Sequence, residues 1–292
     1  MERLDPALLA RLRFVTRRRR RGGWGERRST RRGQGLEFAD YRDYVPGDDL
    51  RRVDWNLYAR LDRPYVRLYE EEADLHVHLL LDGSASMDWA ATEAEPSRWE
   101  KAKALALALG EVALLDGEAL GAALLREGRV EARLPRLRGR AALPRWEAWV
   151  AQAEAGGTTA LGAALRTFVA GKPRPGLVLL LSDAYDPDGL EAGLKALASA
   201  GHEVILLHLL TPQELEPPLW GEVRLVDVES GAAREVTVDR AAQEAYLTRL
   251  HRWQEALRSL LGRYGGRYVV IRSDLPLQKV VLEGLRRAAV LR

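Results

Sequence analysis

The hydrophobic pattern of this 292-residue chain contains two kinds of segment. Three runs, 76–82, 177–182 and 203–209, are almost continuously apolar and are bounded by polar or turn-forming residues. Continuous rather than alternating apolar character is typical of parallel strands that helices cover on both faces. Helices are predicted between and after these runs, and the first of them is rich in alanine and leucine. The pattern therefore predicts a doubly wound, mostly parallel α/β sheet.

The same pattern predicts the remaining elements. A β-hairpin turns through Ser230 and Gly231, because two short β-prone runs flank this pair. Helices are expected over 98–115, 146–154, 160–170, 190–200, 240–263 and 277–289, a strand pair at 119–125 and 129–134, hairpin strands at 223–228 and 234–238, and a last strand at 267–272.

Three domains are predicted from the changes in composition along the chain. Residues 1–35 form an arginine-rich arm, and residues 36–72 form a β-rich segment of short strands and turns. Residues 73–292 form the α/β domain, with the hairpin as an insertion at 222–238.

The segment 36–72 is dense in opposite charges, which predicts a network of charge-assisted hydrogen bonds. We favour a structural role for it over a binding role, with a turn from Asp48 to Leu50 and Trp55 packed inside. Its basic residues include Arg42, Arg51, Arg52 and Arg60, and its acidic ones Asp40, Asp43, Asp48, Asp49 and Asp54.

Charge is distributed unevenly, although the net charge is only +3. Residues 1–35 hold twelve arginines against three acids, which gives +9 and leaves −6 for the rest. Arginine is concentrated at 17–21 and at positions 27, 28, 31 and 32. A solvated or partner-facing arm is favoured over a nucleic-acid-binding one, because no aromatic residues are interleaved and no nucleic-acid module follows.

Composition excludes several classes of site. The chain has no cysteine, so disulfides, zinc–thiolate sites and thiol catalysis are excluded. No apolar run reaches the roughly 20 residues that a membrane span needs, and acids at positions 2 and 5 argue against a signal peptide. We therefore expect a cytoplasmic protein without a transmembrane segment.

Candidate chemistry lies where the apolar runs end. Asp82, Ser84 and Ser86 follow one predicted strand, and Asp183 follows another. In open parallel sheets, ligands bind beyond the carboxyl ends of the strands. The loop 156–159, Gly-Gly-Thr-Thr, adds a hydroxyl from Thr158 or Thr159 at the same edge. These five oxygen groups suit six-coordinate Mg²⁺ or Mn²⁺, with water or a partner's group completing the shell.

Other interpretations of these residues remain open. The Asp82–Ser86 run would also suit a cap for the helix at 98–115. Asp82 beside a cation would suit a phosphatase or a phosphoacceptor. A nucleophile elbow and a phosphate-binding loop are both missing from the sequence, which argues against an enzyme. His76 and His78 share a strand face, and we interpret them as packed neutral histidines rather than a metal pair.

The order Asp82-x-Ser84-x-Ser86, then threonine, then Asp183 resembles the metal-ion-dependent adhesion site of von Willebrand factor A domains. The resemblance implies that the metal lies at the upper edge of the sheet and that the bound partner commonly provides the last ligand as a carboxylate. Spacing in that family favours Thr159, whereas Thr158 follows the two glycines directly. The site would then recognise a partner rather than catalyse a reaction.

A second resemblance is carried by residues 35–55, GLEFADYRDYVPGDDLRRVDW, with Ala59, Arg60 and the three glutamates at 70–72. This stretch is similar to domain-of-unknown-function family 58, which joins such a segment to an A-like domain. Members are typically encoded beside MoxR-type AAA+ ATPases, and many carry N-terminal membrane helices. The resemblance implies a chaperone-like adaptor that works with such an ATPase in the assembly or maturation of client proteins.

Overall fold

The computed structural model describes residues 2–16, 37–70, 75–90, 95–186 and 189–292. The chain forms two compact units. One comprises Met1–Arg17 together with Leu75–Arg292, and the other comprises Arg18–Asp74. The arginine-rich part of the predicted arm, from residue 17 onwards, lies outside the described residues.

The first residues of the predicted arm belong to the α/β unit. A short helix, α1 (Pro6–Leu9), is followed by a segment that pairs with the C-terminus through an isolated bridge between Phe14 and Leu291. Leu9 and Leu12 are buried in the main hydrophobic core. The structure thus divides the chain differently from the predicted boundary at 35, because the apolar side chains of residues 2–16 complete that core.

In the smaller unit, β1 (Glu37–Asp43) pairs antiparallel with β2 (Tyr65–Glu70), and helix α2 (Trp55–Leu61) lies between them in sequence. The prediction of strands and turns alone missed this helix. Asp54 is its N-cap and accepts hydrogen bonds from the first backbone amides of the helix.

The carboxylates of this unit have local structural roles. Asp48 accepts a hydrogen bond from Arg42 at 2.7 Å and another from the Val45 amide, and the Arg42 hydrogen bond holds the pKa of Asp48 below its usual value. The chain turns at Pro46 and Gly47, just before the predicted turn from Asp48 to Leu50, and a 3₁₀ helix begins at Leu50. Trp55 is 57% exposed, so its predicted packing role was wrong: it lies in the first turn of a short helix, edge-on to Tyr58.

The α/β unit is built on a six-stranded sheet with helices on both faces. Its strands are β3 (His76–Asp82), β4 (Ala119–Arg126), β5 (Arg129–Arg138), β6 (Leu177–Ser182), β7 (Glu203–Leu210) and, after the separate hairpin of β8 (Gly221–Val226) and β9 (Ala233–Val238), β10 (Arg267–Arg272). Its main helices are α3 (Arg98–Leu115), α4 (Leu143–Gln152), α5 (Leu161–Ala170), α6 (Leu190–Ser199), α7 (Pro212–Leu215) and α8 (Arg240–Arg263).

The strand order is β10-β7-β6-β3-β4-β5, and every pair is parallel except β4 and β5. The chain starts at β3, moves outwards to β4 and β5, and then returns to β6 on the other side of β3. The winding therefore reverses between β3 and β6, which lie side by side with Leu81 opposite Leu181. This is the topological switch point of a doubly wound sheet, where such folds place their ligands.

Two helical layers cover the sheet. The core on one face contains α3, α4 and the C-terminal helical segment, and the core on the other contains α5, α6 and α8. Every residue of β6 and of β7 is buried as a result. The predicted fold class is confirmed, because the continuous apolar runs are the strands that are covered on both sides.

Two predicted helices differ in detail. The helix expected over 146–154 starts earlier, at Leu143, since Pro144 suits the first helical turn. The helix expected over 277–289 is divided into Leu277–Lys279, a π-helical turn at Val280–Gly284, and Leu285–Arg287. In the parts of the chain that the structure describes, no helix has the length and apolar character needed to cross a membrane.

Candidate metal site

Two loops and the end of β4 meet at the carboxyl end of β3. The Gly83 amide donates to the carbonyl of Leu125, near the end of β4, at 2.8 Å. The Gly156 amide donates to the Gly83 carbonyl at 2.8 Å, and the Ala85 amide donates to the Gly157 carbonyl at 3.0 Å. The Asp-x-Ser-x-Ser loop and the Gly-Gly-Thr-Thr loop are therefore hydrogen-bonded neighbours, although more than 70 residues separate them.

Asp82 is the last residue of β3, and its side chain is buried, with only 2% of the residue exposed. One carboxylate oxygen accepts from the Ser84 amide at 3.1 Å, and the other accepts from the Ser182 hydroxyl at 2.6 Å. Burial, and then the negative charge of Asp183, raise the pKa of the Asp82 carboxyl to about 7. This edge of the sheet is thus a place where a cation would stabilise two buried carboxylates.

The two serines of the motif lie side by side. Ser84 is fully buried, and its Oγ is 3.0 Å from the Oγ of Ser86. They do not cap the helix α3. That cap is Ser97, which accepts from the Glu100 amide while the Glu100 side chain accepts from the Ser97 amide. The helix-cap interpretation of the motif was therefore wrong.

Of the two candidate threonines, Thr159 is the one that faces the site. It lines the same pocket as Asp82, and its hydroxyl oxygen is fully buried without a hydrogen-bond partner among the described residues. Thr158 is exposed. Buried hydroxyls almost always have a partner. A water molecule or a cation in this pocket would provide one for the Thr159 hydroxyl. The geometry favours Thr159 as the ligand.

Asp183 follows β6 directly and is also buried. One of its oxygens accepts from the Tyr185 amide at 3.2 Å, and the other lies 3.8 Å from the guanidinium of Arg98. Arg98 is itself buried, donates to the Ser86 carbonyl at 2.5 Å and pairs with Glu214. The guanidinium therefore joins both sides of the candidate site and compensates part of the charge of Asp183.

Sequence reasoning missed three residues at this site. Ser182 could have been found from the sequence, because it is the last residue of the strand that Asp183 follows. Arg98 carries no sequence signal, since it is one basic residue in the first turn of a predicted helix. Glu229 lies in the turn of the β8–β9 hairpin, and its carboxylate accepts from the Thr159 amide at 2.8 Å.

His78 is a packed structural histidine, as predicted, and His76 is buried at the start of β3. His78 is in edge-on contact with the rings of Phe168 and His202, and its Nε2 is 2.8 Å from the Arg174 carbonyl. Burial lowers the pKa of His78, which keeps it neutral at physiological pH.

The donor set fits a hard divalent cation. No group of three or more His, Cys, Asp or Glu side chains in the described parts of the chain is arranged as a metal site. The site instead combines two carboxylates with hydroxyl groups, and all of these donors are oxygens. This is the chemistry of Mg²⁺ or Mn²⁺, and it does not suit zinc, which takes nitrogen and sulfur. The residues that would hold the ion are Asp82, Ser84, Ser86, Thr159 and Asp183.

Fold and site define an α/β protein with a doubly wound sheet and buried oxygen donors where β3 and β6 end. The chain belongs to the family described as "Protein of unknown function DUF58", whose model matches residues 40–256. This confirms the family predicted from residues 35–55. An uncharacterized protein of Mycobacterium tuberculosis is 35% identical over 217 residues, which cover 73% of this chain and 67% of that protein. An uncharacterized protein of Mycobacterium bovis matches to the same extent.

Solved structures with a similar fold are more distant. The conserved hypothetical protein BatB from Bacteroides thetaiotaomicron is 19% identical with a TM-score of 0.45, covering 74% of this chain and 98% of BatB. The VWA domain of SpRpn10 is 11% identical with a TM-score of 0.42, covering 72% of this chain and 94% of that domain. Both TM-scores are below 0.5, and the fold assignment rests on the sheet topology of the chain itself.

Proposed function

We propose that this protein is a non-catalytic protein-interaction module whose binding depends on Mg²⁺ or Mn²⁺. The observation that carries the proposal is the buried Thr159 hydroxyl, which has no hydrogen-bond partner in the described parts of the chain and shares a pocket with the buried Asp82. When bound, the cation would supply positive charge and a coordination position for an acidic group of a partner. The chain's own residues hold that position at the edge of a rigid sheet.

The surroundings of Asp82 support recognition over phosphoryl transfer. The Asp82 side chain is buried, so a bulky phosphoryl group has less access to its oxygens than a single cation has. A nucleophilic carboxylate would need one oxygen directed at such a substrate. The nucleic-acid alternative depends on the arginine-rich residues after 16, which lie outside the described residues, so no contact supports it.

The proposed partner is a MoxR-type AAA+ ATPase, with a client protein of unknown identity. This part of the proposal is supported by the family resemblance in residues 35–55. An adaptor for an ATPase would work where ATP is available, so we place the protein in the cytoplasm. Its role would be the assembly or maturation of other protein complexes.

The test is capture of the proposed MoxR-type ATPase partner by the purified full chain, with and without Mn²⁺. Capture should require Mn²⁺ and should be lost in Asp82→Asn, whereas Glu235→Gln, a surface variant with the same change of charge, should behave as wild type. Equal capture by wild type and Asp82→Asn, or equal capture in EDTA, would refute the metal-dependent interaction. Turnover of a phosphorylated substrate that is lost in the same variant would favour the enzyme alternative.

A further inference from the structure

The hairpin of β8 and β9 is exposed along most of its length, but one residue of its turn is directed into the protein. Neither strand contains a fully buried residue. Glu229, in the turn, is half-buried and reaches the Thr159 amide 70 residues earlier in the chain. The only described side-chain hydrogen bond of the turn to another loop is therefore at the candidate metal site.

The turn is built so that Glu229 is held in place. Asp227 accepts hydrogen bonds from the Glu229 amide at 3.0 Å and from the Ser230 amide at 2.7 Å. The Ser230 hydrogen bonds hold the pKa of Asp227 below its usual value, so this carboxylate remains ionised and keeps the turn closed. The backbone at Glu229 consequently loses little further freedom when the side chain docks.

Two buried oxygens at this contact have no hydrogen-bond partner among the described residues. One is the Thr159 hydroxyl oxygen, and the other is the second carboxylate oxygen of Glu229. A buried carboxylate oxygen without a donor is unfavourable, and so is a buried hydroxyl without a partner. A hard cation is the ligand that both oxygens could bind at once.

We propose that Glu229 is an internal carboxylate ligand of the cation site, and that the hairpin is a strap which closes the site in the isolated chain. The inference rests on the proposed function, because it assumes that Asp82 and Thr159 hold a divalent cation. Five oxygen groups leave one position of a six-coordinate ion, and Glu229 would take it. An acidic side chain of a partner protein must then displace Glu229. The strap therefore competes with the partner for the last coordination position of the cation.

The alternative is that Glu229 only accepts the Thr159 hydrogen bond. Thr159 immediately precedes the N-cap of α5, where backbone amides need acceptors; Ala160, the N-cap, has no side-chain acceptor to offer, and the Gly162 amide donates to Asp186. Glu229→Gln separates the two roles, because a glutamine oxygen still accepts this hydrogen bond but carries no negative charge. Glu229→Ala removes both, and Glu235→Gln on the same hairpin is the matched control.

The experiment measures Mn²⁺ binding to the full chain by electron paramagnetic resonance and exchange of the Thr159 amide by hydrogen-exchange mass spectrometry. Glu229→Gln should lower Mn²⁺ affinity about tenfold while the Thr159 amide stays protected. In Glu229→Ala, affinity should fall equally, and the amide should exchange about tenfold faster even without metal. At saturating Mn²⁺, Glu229→Gln should capture more of the ATPase than wild type does.

Two results would overturn this inference in different ways. Wild-type Mn²⁺ affinity in Glu229→Gln would limit Glu229 to its structural hydrogen bond, and the cation site itself would stand. Wild type binding no more Mn²⁺ than Asp82→Asn would remove the proposed function and, with it, the ligand role of Glu229. Unchanged or weaker capture of the ATPase by Glu229→Gln would refute the displacement step.

Discussion

Asp82 and Asp183 stand at the carboxyl ends of neighbouring strands, yet their surroundings are different. Asp82 is held by two neutral hydrogen bonds, and burial raises its pKa to about 7. Asp183 has the guanidinium of Arg98 3.8 Å away. The comparison teaches that two aspartates with the same position in a sequence pattern can have opposite energetic roles. One carboxylate needs a cation, and the other already has one nearby.

The largest expected effect is on cation affinity. Asp82→Asn should lower Mn²⁺ affinity about 100-fold, whereas Asp183→Asn should lower it about tenfold, because Arg98 already compensates part of its charge. Titration of each variant by electron paramagnetic resonance measures both values, with Glu235→Gln as the control. Equal losses in the two variants would contradict the distinction between the aspartates.

The second effect is on stability in the absence of metal. In EDTA at pH 8, Asp82→Asn should raise the free energy of unfolding by about 2 kcal/mol, because the ionised carboxylate is unfavourable in its buried position. Asp183→Asn should lower it by about 1 kcal/mol, because the buried Arg98 loses one of its two charge partners. Urea denaturation measures the free energy of unfolding of both variants. A change of the same sign in both would contradict the distinction between the two aspartates.

A third prediction concerns the threonines that complete the site. Thr159→Val should lower Mn²⁺ affinity about tenfold without loss of stability, because the hydroxyl it removes has no hydrogen-bond partner in the described residues. Thr158→Val, at an exposed position, should leave the affinity unchanged. If Thr158→Val is the variant that loses affinity, the assignment of the ligand to Thr159 is wrong.

The smallest effects concern the backbone after each strand. A Cβ on Gly83 would lie 2.7 Å from the Leu124 side chain, so Gly83→Ala should destabilise the protein by about 1 kcal/mol. Ala184 is buried with a φ of 58°, which is unfavourable for a residue with a side chain. Ala184→Gly should therefore stabilise it by about 1 kcal/mol at most. Thermal unfolding measured by circular dichroism should show opposite shifts, and shifts of one sign would contradict this account of the two loops.

Much of the α/β unit was predictable because its elements are strongly patterned. The bounds of β6, α8 and β10 agree with the prediction, since each is an apolar or periodic run with clear ends. Helix α2 was missed because it is only seven residues long and lies in a segment rich in charged residues and turn signals. A local signal for it existed in Asp54, a favourable N-cap residue, directly before Trp55.

The site was predictable to the extent that it follows from strand ends. The sheet brings Asp82 and Asp183 to adjacent strands, and hydrogen bonds between loops add Thr159. Arg98 and Glu229 were not predictable, because their positions depend on how a helix and a hairpin dock in three dimensions. Neither residue lies in a local sequence pattern that indicates which residue it contacts.

The central claim is that Asp82, Ser84, Ser86, Thr159 and Asp183 hold a divalent cation. The most direct measurement is anomalous scattering from a crystal of the full chain soaked in Mn²⁺. The account predicts one strong anomalous peak among these residues, at the carboxyl ends of β3 and β6, and its loss in Asp82→Asn. A soaked wild-type crystal with no peak there, or with its manganese bound elsewhere, would contradict it.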